Sequence, residues 1–285
     1  MKMILGIFLI FGSLTSFAQD NCEMDNRLLK RGNFEEHYLD FVNFAYRFQG
    51  RCRGHSVVMQ KSFYLMEFNK GENPNNCSVE NFPFECQKVY YDKFAKIFFE
   101  NQVQEIPGFK NLAEFSSIPY INSLLKYHVS RTPTTFKTLI AHNRFLNSEE
   151  NPSIAHFKEA VERVQEYQIP YLAISSYWTG DHAVLGYRFK KVDDVLRLCV
   201  RDPNLIPNMS IECENYFYLG KLETRIPNID PAQPDEVKIT DEVYYHKRGE
   251  SIDQHLLTVR IYEEEDERTQ EYIQARYQYC LDSKI

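Results

Sequence analysis

Two apolar strands facing each other across a short polar connection constrain the second half of this chain more than any other feature. Ala183 to Phe189 and Val195 to Arg201 flank the stretch KKVDDV and read as an antiparallel hairpin. A turn centred on Val192 sets 182 opposite 202, 184 opposite 200 and 186 opposite 198, and opposed residues share a face of the sheet. That face carries His182 and Asp202 at its open end, with Val184, Leu196, Leu198 and Val200 behind them. In the low dielectric of such a strip an imidazole and a carboxylate make a strong hydrogen bond. Register is decisive, because a slip of one residue turns Asp202 to the other face.

The rest of the chain sorts into a helix-rich first half and a strand-rich second half. Helical periodicity marks 37–48, 53–68, 87–102, 118–129, 132–146 and, most clearly, 153–167. Strand patterns follow at 170–177, 182–189, 195–202, 211–219, 241–247 and 255–262, and the acidic run from Glu263 opens a final helix. This is an α+β arrangement: helices in 19–150 pack on an antiparallel sheet in 151–285 within a single domain, 19–285.

Cys52 lies in GRCRGHSVV, directly before the helical run from Arg53 to Phe68, whose apolar face is traced by Val58, Ser62, Leu65, Met66 and Asn69. Gly50 and Gly54 bracket it and permit a tight backbone. A thiol at a helix start feels the positive end of the dipole, and a nearby histidine lowers its pKa further. His55 is a competing base, but three residues after Cys52 it points into helix packing. With neither HExxH nor a paired CxxC, the chain carries no metal-site motif. No cofactor is implied either.

Residues 1–18 have the pattern of a secretory signal peptide: Lys2, an apolar stretch from Met3 to Phe17, and small residues Ser16 and Ala18 before Gln19. That stretch is too short to be a spanning helix. Gln19, Asp20 and Asn21 are the wrong residues for lipoprotein processing at Cys22. Losing Lys2 takes the formal charge from −7 to −8, which argues against nucleic acid or an anionic membrane as partner. The expected location is therefore secreted or periplasmic.

Seven cysteines in an oxidising compartment favour three disulfides and one free thiol. Cys52 is the one with a chemical reason to stay reduced. Cys77 with Cys86 encloses a short loop rich in Asn and Pro, Cys199 with Cys213 spans the DPNLIPN turn, and Cys22 with Cys280 ties the ends together. The sole tryptophan, Trp178, reads as a core residue.

Four local patterns resemble the papain-like cysteine peptidase fold, closest to its secreted bacterial C39-like branch. They are Gly50-x-Cys52-x-Gly54 before a helix, an amphipathic helix followed by a strand opening at Ile169-Pro170, the run Gly180 to Val184, and Asp202-Pro203-Asn204. Together they cover about a third of the chain. The resemblance implies Cys52 as nucleophile, His182 as general base and acid, and Asp202 as the orienting carboxylate, with Asn204 as the alternative orienter. It also implies a glutamine about six residues before the cysteine to help hold the oxyanion, and here that position is Tyr46. Gln49 and Asn43 are the nearby substitutes, with the Cys52 backbone N–H as second donor.

The expected activity is hydrolysis of a peptide, protein or cell-wall amide through a Cys-His-Asp triad. A second enzyme reading, transglutaminase-like acyl transfer, shares the residue order and the Asp-Pro motif. Such proteins, however, usually carry an aromatic where this chain has Val184 and a shorter span from cysteine to histidine. The alternative outside catalysis is a silent papain-like fold acting as an extracytoplasmic binding or structural module, and Tyr46 in the glutamine position is its support.

Overall fold

A computed structural model describes residues 37–42, 45–46, 49–69, 73, 76–132, 152–166, 168–176, 180–205, 213–226, 236–251, 253–256, 258–261 and 263–282. The expected leader, Cys22, Asn43, Trp178 and the expected helix at 132–146, apart from Thr132, lie outside them.

Among the described residues the chain is a mixed α+β protein with six helices: α1 (Cys52–Leu65), α2 (Phe84–Glu100), α3 (Leu112–Ser117), α4 (Pro119–Arg131), α5 (Pro152–Gln165) and α6 (Glu263–Asp282). The main sheet is antiparallel, built from β5 (Tyr171–Ser176), β6 (Gly180–Val192), β7 (Val195–Arg201), β8 (Tyr216–Ile226), β9 (Glu236–His246), β10 (Gln254–His255) and β11 (Thr258–Ile261). Its spatial order is β10-β9-β8-β7-β6-β5-β11. None of the described helices is long and apolar enough to cross a membrane.

The alternation of β5 and β6 divides the core in two. Tyr171, Ala173, Ala183 and Leu185 join the core built by α1 to α4, whereas Leu172, Ile174 and Val184 join one with Phe157 and Val161 of α5. Successive strand residues point to opposite faces, so these central strands are covered on both sides. Helix α5 supplies its cover through Ser153, Phe157, Ala160, Val161 and Val164, a stripe at helical spacing. Helix α6 returns to the first core through Tyr272 and Ile273.

Helix α1 is the central helix, with 12 of its 14 residues buried, so no single apolar stripe describes it. It stops at Leu65 rather than running to Phe68. Met66 turns extended, its N–H returning to the Ser62 carbonyl, and β3 (Met66–Asn69) pairs in parallel with β4 (Gln104–Pro107).

Gly54 has a different role from the one its sequence context suggests. It lies within α1, where an added Cβ would stand 2.2 Å from the Val129 carbonyl oxygen. The glycine permits a close α1–α4 crossing, not a turn.

The described residues of 37–48, which are 37–42 and 45–46, are not helical. Ala45–Tyr46 and Gln49–Gly50 pair as the short strands β1 and β2. Before them His37, Leu39 and Phe41 are buried while Tyr38, Asp40 and Val42 are more exposed. Both periods are present in HYLDFV, and the period of two prevailed because the segment lies extended against the first core.

The hairpin register also differs from expectation. The turn falls at Asp193 and Asp194, both left-handed with φ of 49° and 64°, so Val192 pairs with Val195 and Arg188 with Cys199. A bulge between Gly186 and Arg188 then shifts the pairing to Leu185 with Arg201 and Gly186 with Val200.

Candidate active site

The later turn alone would have slipped the register by an odd number of residues and turned Asp202 away from His182. The one-residue bulge restores the parity. At the site end the net displacement is two residues, so the two side chains keep a common face and meet as diagonal neighbours. The apolar strip forms as expected: Val184, Leu198 and Val200 are buried in one core with Leu196 packed against it.

His182 Nε2 lies 2.8 Å from Asp202 Oδ1. Asp202 is 2% exposed and receives two further donors, the Asn204 backbone N–H on Oδ1 at 2.8 Å and the Tyr245 hydroxyl on Oδ2 at 2.7 Å. The Asn204 bond is the local loop an aspartate makes two residues on. The Asn204 side chain stands back, its Nδ2 3.5 Å from His182 Nε2. The carboxylate of Asp202 thus makes the closer contact with the imidazole.

Cys52 begins α1 and hydrogen-bonds His182. With Nε2 turned to Asp202, Nδ1 is the ring nitrogen that serves the sulfur. Arg51 caps the helix without a side-chain hydrogen bond, and the first turn carries no acidic residue, so no carboxylate of that turn competes with the thiolate for the helix dipole. Among the described residues Cys52 is the free cysteine. Cys77–Cys86 and Cys199–Cys213 are disulfides. Cys280 is also disulfide-bonded, which fits an oxidising compartment.

Burial pushes the Cys52 thiol up, yet the hydrogen bond and charge of His182, with the Ala183 and Arg53 backbone N–H groups, bring it below its ordinary value. Burial likewise pushes His182 down, and Asp202 together with Cys52 raises it to about 9. For Asp202, burial pushes upward and the His182, Tyr245 and Asn204 donors hold it at about 2. All three shifts favour a thiolate–imidazolium pair backed by a carboxylate at neutral pH.

His55 stays outside this constellation. It is buried, its Nε2 donates to the Phe41 carbonyl at 2.9 Å, and burial holds its pKa down to about 4, so it is neutral. Gln49 lies on β2 in the approach to Cys52 and Tyr46 on β1, placed by their backbones.

Two features of the site went unread in the sequence. Tyr245 arrives from β9, 43 residues after Asp202, with no local signal. The other is a polar ridge on α1. Ser56 donates to the Ala183 carbonyl at 3.2 Å, Gln60 to the Ile169 carbonyl at 2.6 Å, and the Tyr64 hydroxyl accepts the Ile169 N–H at 3.0 Å. Cys52, Ser56, Gln60 and Tyr64 recur every four residues, a spacing that could have revealed the ridge. No family model, curated protein or solved structure matches this chain.

Proposed function

We propose that this protein is a papain-like thiol hydrolase of an extracytoplasmic compartment that cleaves a peptide or other amide bond through Cys52, His182 and Asp202. The observation that carries the reading is the place of His182, between the free thiol of Cys52, whose pKa it lowers, and the buried Asp202 carboxylate, which the Tyr245 hydroxyl also holds, in a protein whose other described cysteines are disulfide-bonded. The Cys52 thiolate attacks the carbonyl carbon and the π electrons move to the oxygen, which the backbone N–H groups at the start of α1 stabilise. As the tetrahedral intermediate collapses, the C–N bond breaks and His182 protonates the leaving amine. His182 then takes a proton from water, the hydroxide displaces Cys52 from the acyl-enzyme, and the acid product leaves. Asp202 holds the imidazole with Nδ1 toward the sulfur and stabilises its charged form.

Alkylation by iodoacetamide measured against pH tests the ion pair. The wild-type rate should plateau near neutral pH. In His182→Ala it should titrate above the ordinary thiol value of about 8.5, because burial then acts unopposed. Turnover of fluorogenic peptide amides that is lost in Cys52→Ala tests the hydrolysis. A reactive thiol without turnover would favour the silent binding module, and a wild-type profile indifferent to His182 would remove the triad altogether.

A further inference from the structure

Helix α2 is anchored on one face and bare on the other. Cys86, Tyr90, Phe94 and Ile97 are buried at helical spacing in the first core, and the Cys77–Cys86 disulfide ties down the helix start. The face turned away from such a core is ordinarily polar. Here it carries Phe84, Tyr91 and Phe99, exposed by 73%, 52% and 69%. At about 100° per residue the three fall within about 80° of one another around the helix. Single exposed aromatics are ordinary, but a row of them along one helix is a contact face.

The charges beside this row decide what fits it. Lys88, Lys93 and Lys96 balance Glu85, Asp92 and Glu100, so α2 is neutral on a chain of formal charge −7, and a second copy can approach here without the repulsion of the whole. Among the described residues no ion pair engages Glu85, Lys88, Asp92 or Lys96. Their order is self-complementary in one direction only. Antiparallel copies of α2 about a two-fold axis at Tyr91 set Glu85, six residues before the axis, beside Lys96, five residues after it. Phe84 and Phe99, seven before and eight after, meet in the same way. Each offset is one residue, about 1.5 Å of helix rise. Parallel copies in register would instead set every charge against its own kind.

We propose that the outward face of α2 is the interface of a two-fold homodimer, in which antiparallel α2 helices bury Phe84, Tyr91 and Phe99 and pair Glu85 of each copy with Lys96 of the other. The aromatic rings supply the apolar area, and the two ion pairs fix direction and register. Tyr127 of α4, 49% exposed, shares His128 with Phe99 as a ring neighbour and widens the patch at that end. A single helix pair covers an area at the low end of specific interfaces, about 1,200 Å² or less, so the association is reversible at micromolar concentration. This interface is independent of the chemistry of Cys52.

Sedimentation equilibrium of the whole protein across the micromolar range tests the proposal. The wild type should follow a monomer–dimer equilibrium. Phe99→Glu should weaken the dimer at least about tenfold, corresponding to about 1.4 kcal/mol. Glu85→Lys and Lys96→Glu should each weaken it as well, and the double reversal should restore it, because both pairs re-form with their signs exchanged. All three positions are exposed, so the melting temperature of the monomer should barely move. A wild type that stays monomeric, a dimer indifferent to Phe99→Glu, or a double reversal that fails to restore association would each overturn the proposal. So would a monomer that binds phosphatidylglycerol vesicles through Phe84 and Phe99, which would assign the face to a membrane.

Discussion

Replacing Tyr245 by Phe isolates one hydrogen bond to the carboxylate that orients His182. The ring sits at 1% exposure in the sheet core beside Phe217, so removing the hydroxyl leaves the packing intact. Asp202 Oδ2 would then lose its donor, while Oδ1 keeps His182 and Asn204. A hydrogen bond to a buried charge contributes about 1.5–3 kcal/mol. At about 1.4 kcal/mol per pKa unit, its loss raises the Asp202 carboxyl by about one to two units, from about 2 to near its unfolded value.

The folded pKa of Asp202 lies below the unfolded value, so its stabilisation is present above about pH 4 and is lost as pH falls toward about 2. Urea unfolding of both proteins between these limits and neutral pH should therefore give a gap of about 1.5–3 kcal/mol at pH 7 that narrows steadily as the carboxyl protonates. His182 should lose part of its elevation, and the alkylation profile of Cys52 should move toward higher pH in the mutant. A gap that stays constant with pH, or one below about 0.5 kcal/mol at neutrality, would refute the assignment of Tyr245 as a positioning residue.

Two further outcomes follow from the backbone. Gly54→Ala should destabilise the protein by about 1–3 kcal/mol in urea unfolding despite the better helix propensity of alanine, because the new methyl meets the Val129 carbonyl at 2.2 Å; unchanged stability would mean the α1–α4 crossing has slack. Asp194→Gly should stabilise by about 0.5 kcal/mol, since position 194 holds φ of 64° and the exposed Lys191 pair it loses is worth little; a loss of stability in urea unfolding would show that the aspartate side chain holds the turn.

Much of the site was legible because its parts obey local rules. The thiol before a helix, the apolar strip behind His182 and the Asp-Pro-Asn loop each follow from a few neighbouring residues, and the turn formers between Cys77 and Cys86 announced their bridge. What was missed depends on partners distant in sequence. Residues 37–48 carry both helical and alternating patterns, and only the core against which Leu39 and Phe41 pack selects the second. The pairing of β3 with β4 joins segments 38 residues apart and has no mark in either. In the hairpin, Asp193-Asp194 was present as a turn signal, but the bulge beyond Gly186 was not, and it alone keeps His182 and Asp202 on one face.

The polar ridge of α1 explains why the site can be assembled across two cores. Apolar burial brings surfaces together but is non-directional, so it fixes a separation better than a register. A thiol and an imidazole must be placed within a fraction of an ångström and in the right orientation, and hydrogen bonds carry that angular information. Ser56 and Gln60 donate to the Ala183 and Ile169 carbonyls, and Tyr64 accepts from the Ile169 N–H, so three successive turns of α1 are pinned to β6 and to the entrance of β5. The fourth position of the same ridge is Cys52. Its sulfur meets the Ala183 backbone N–H beside His182 because every turn behind it is already held in register with that strand.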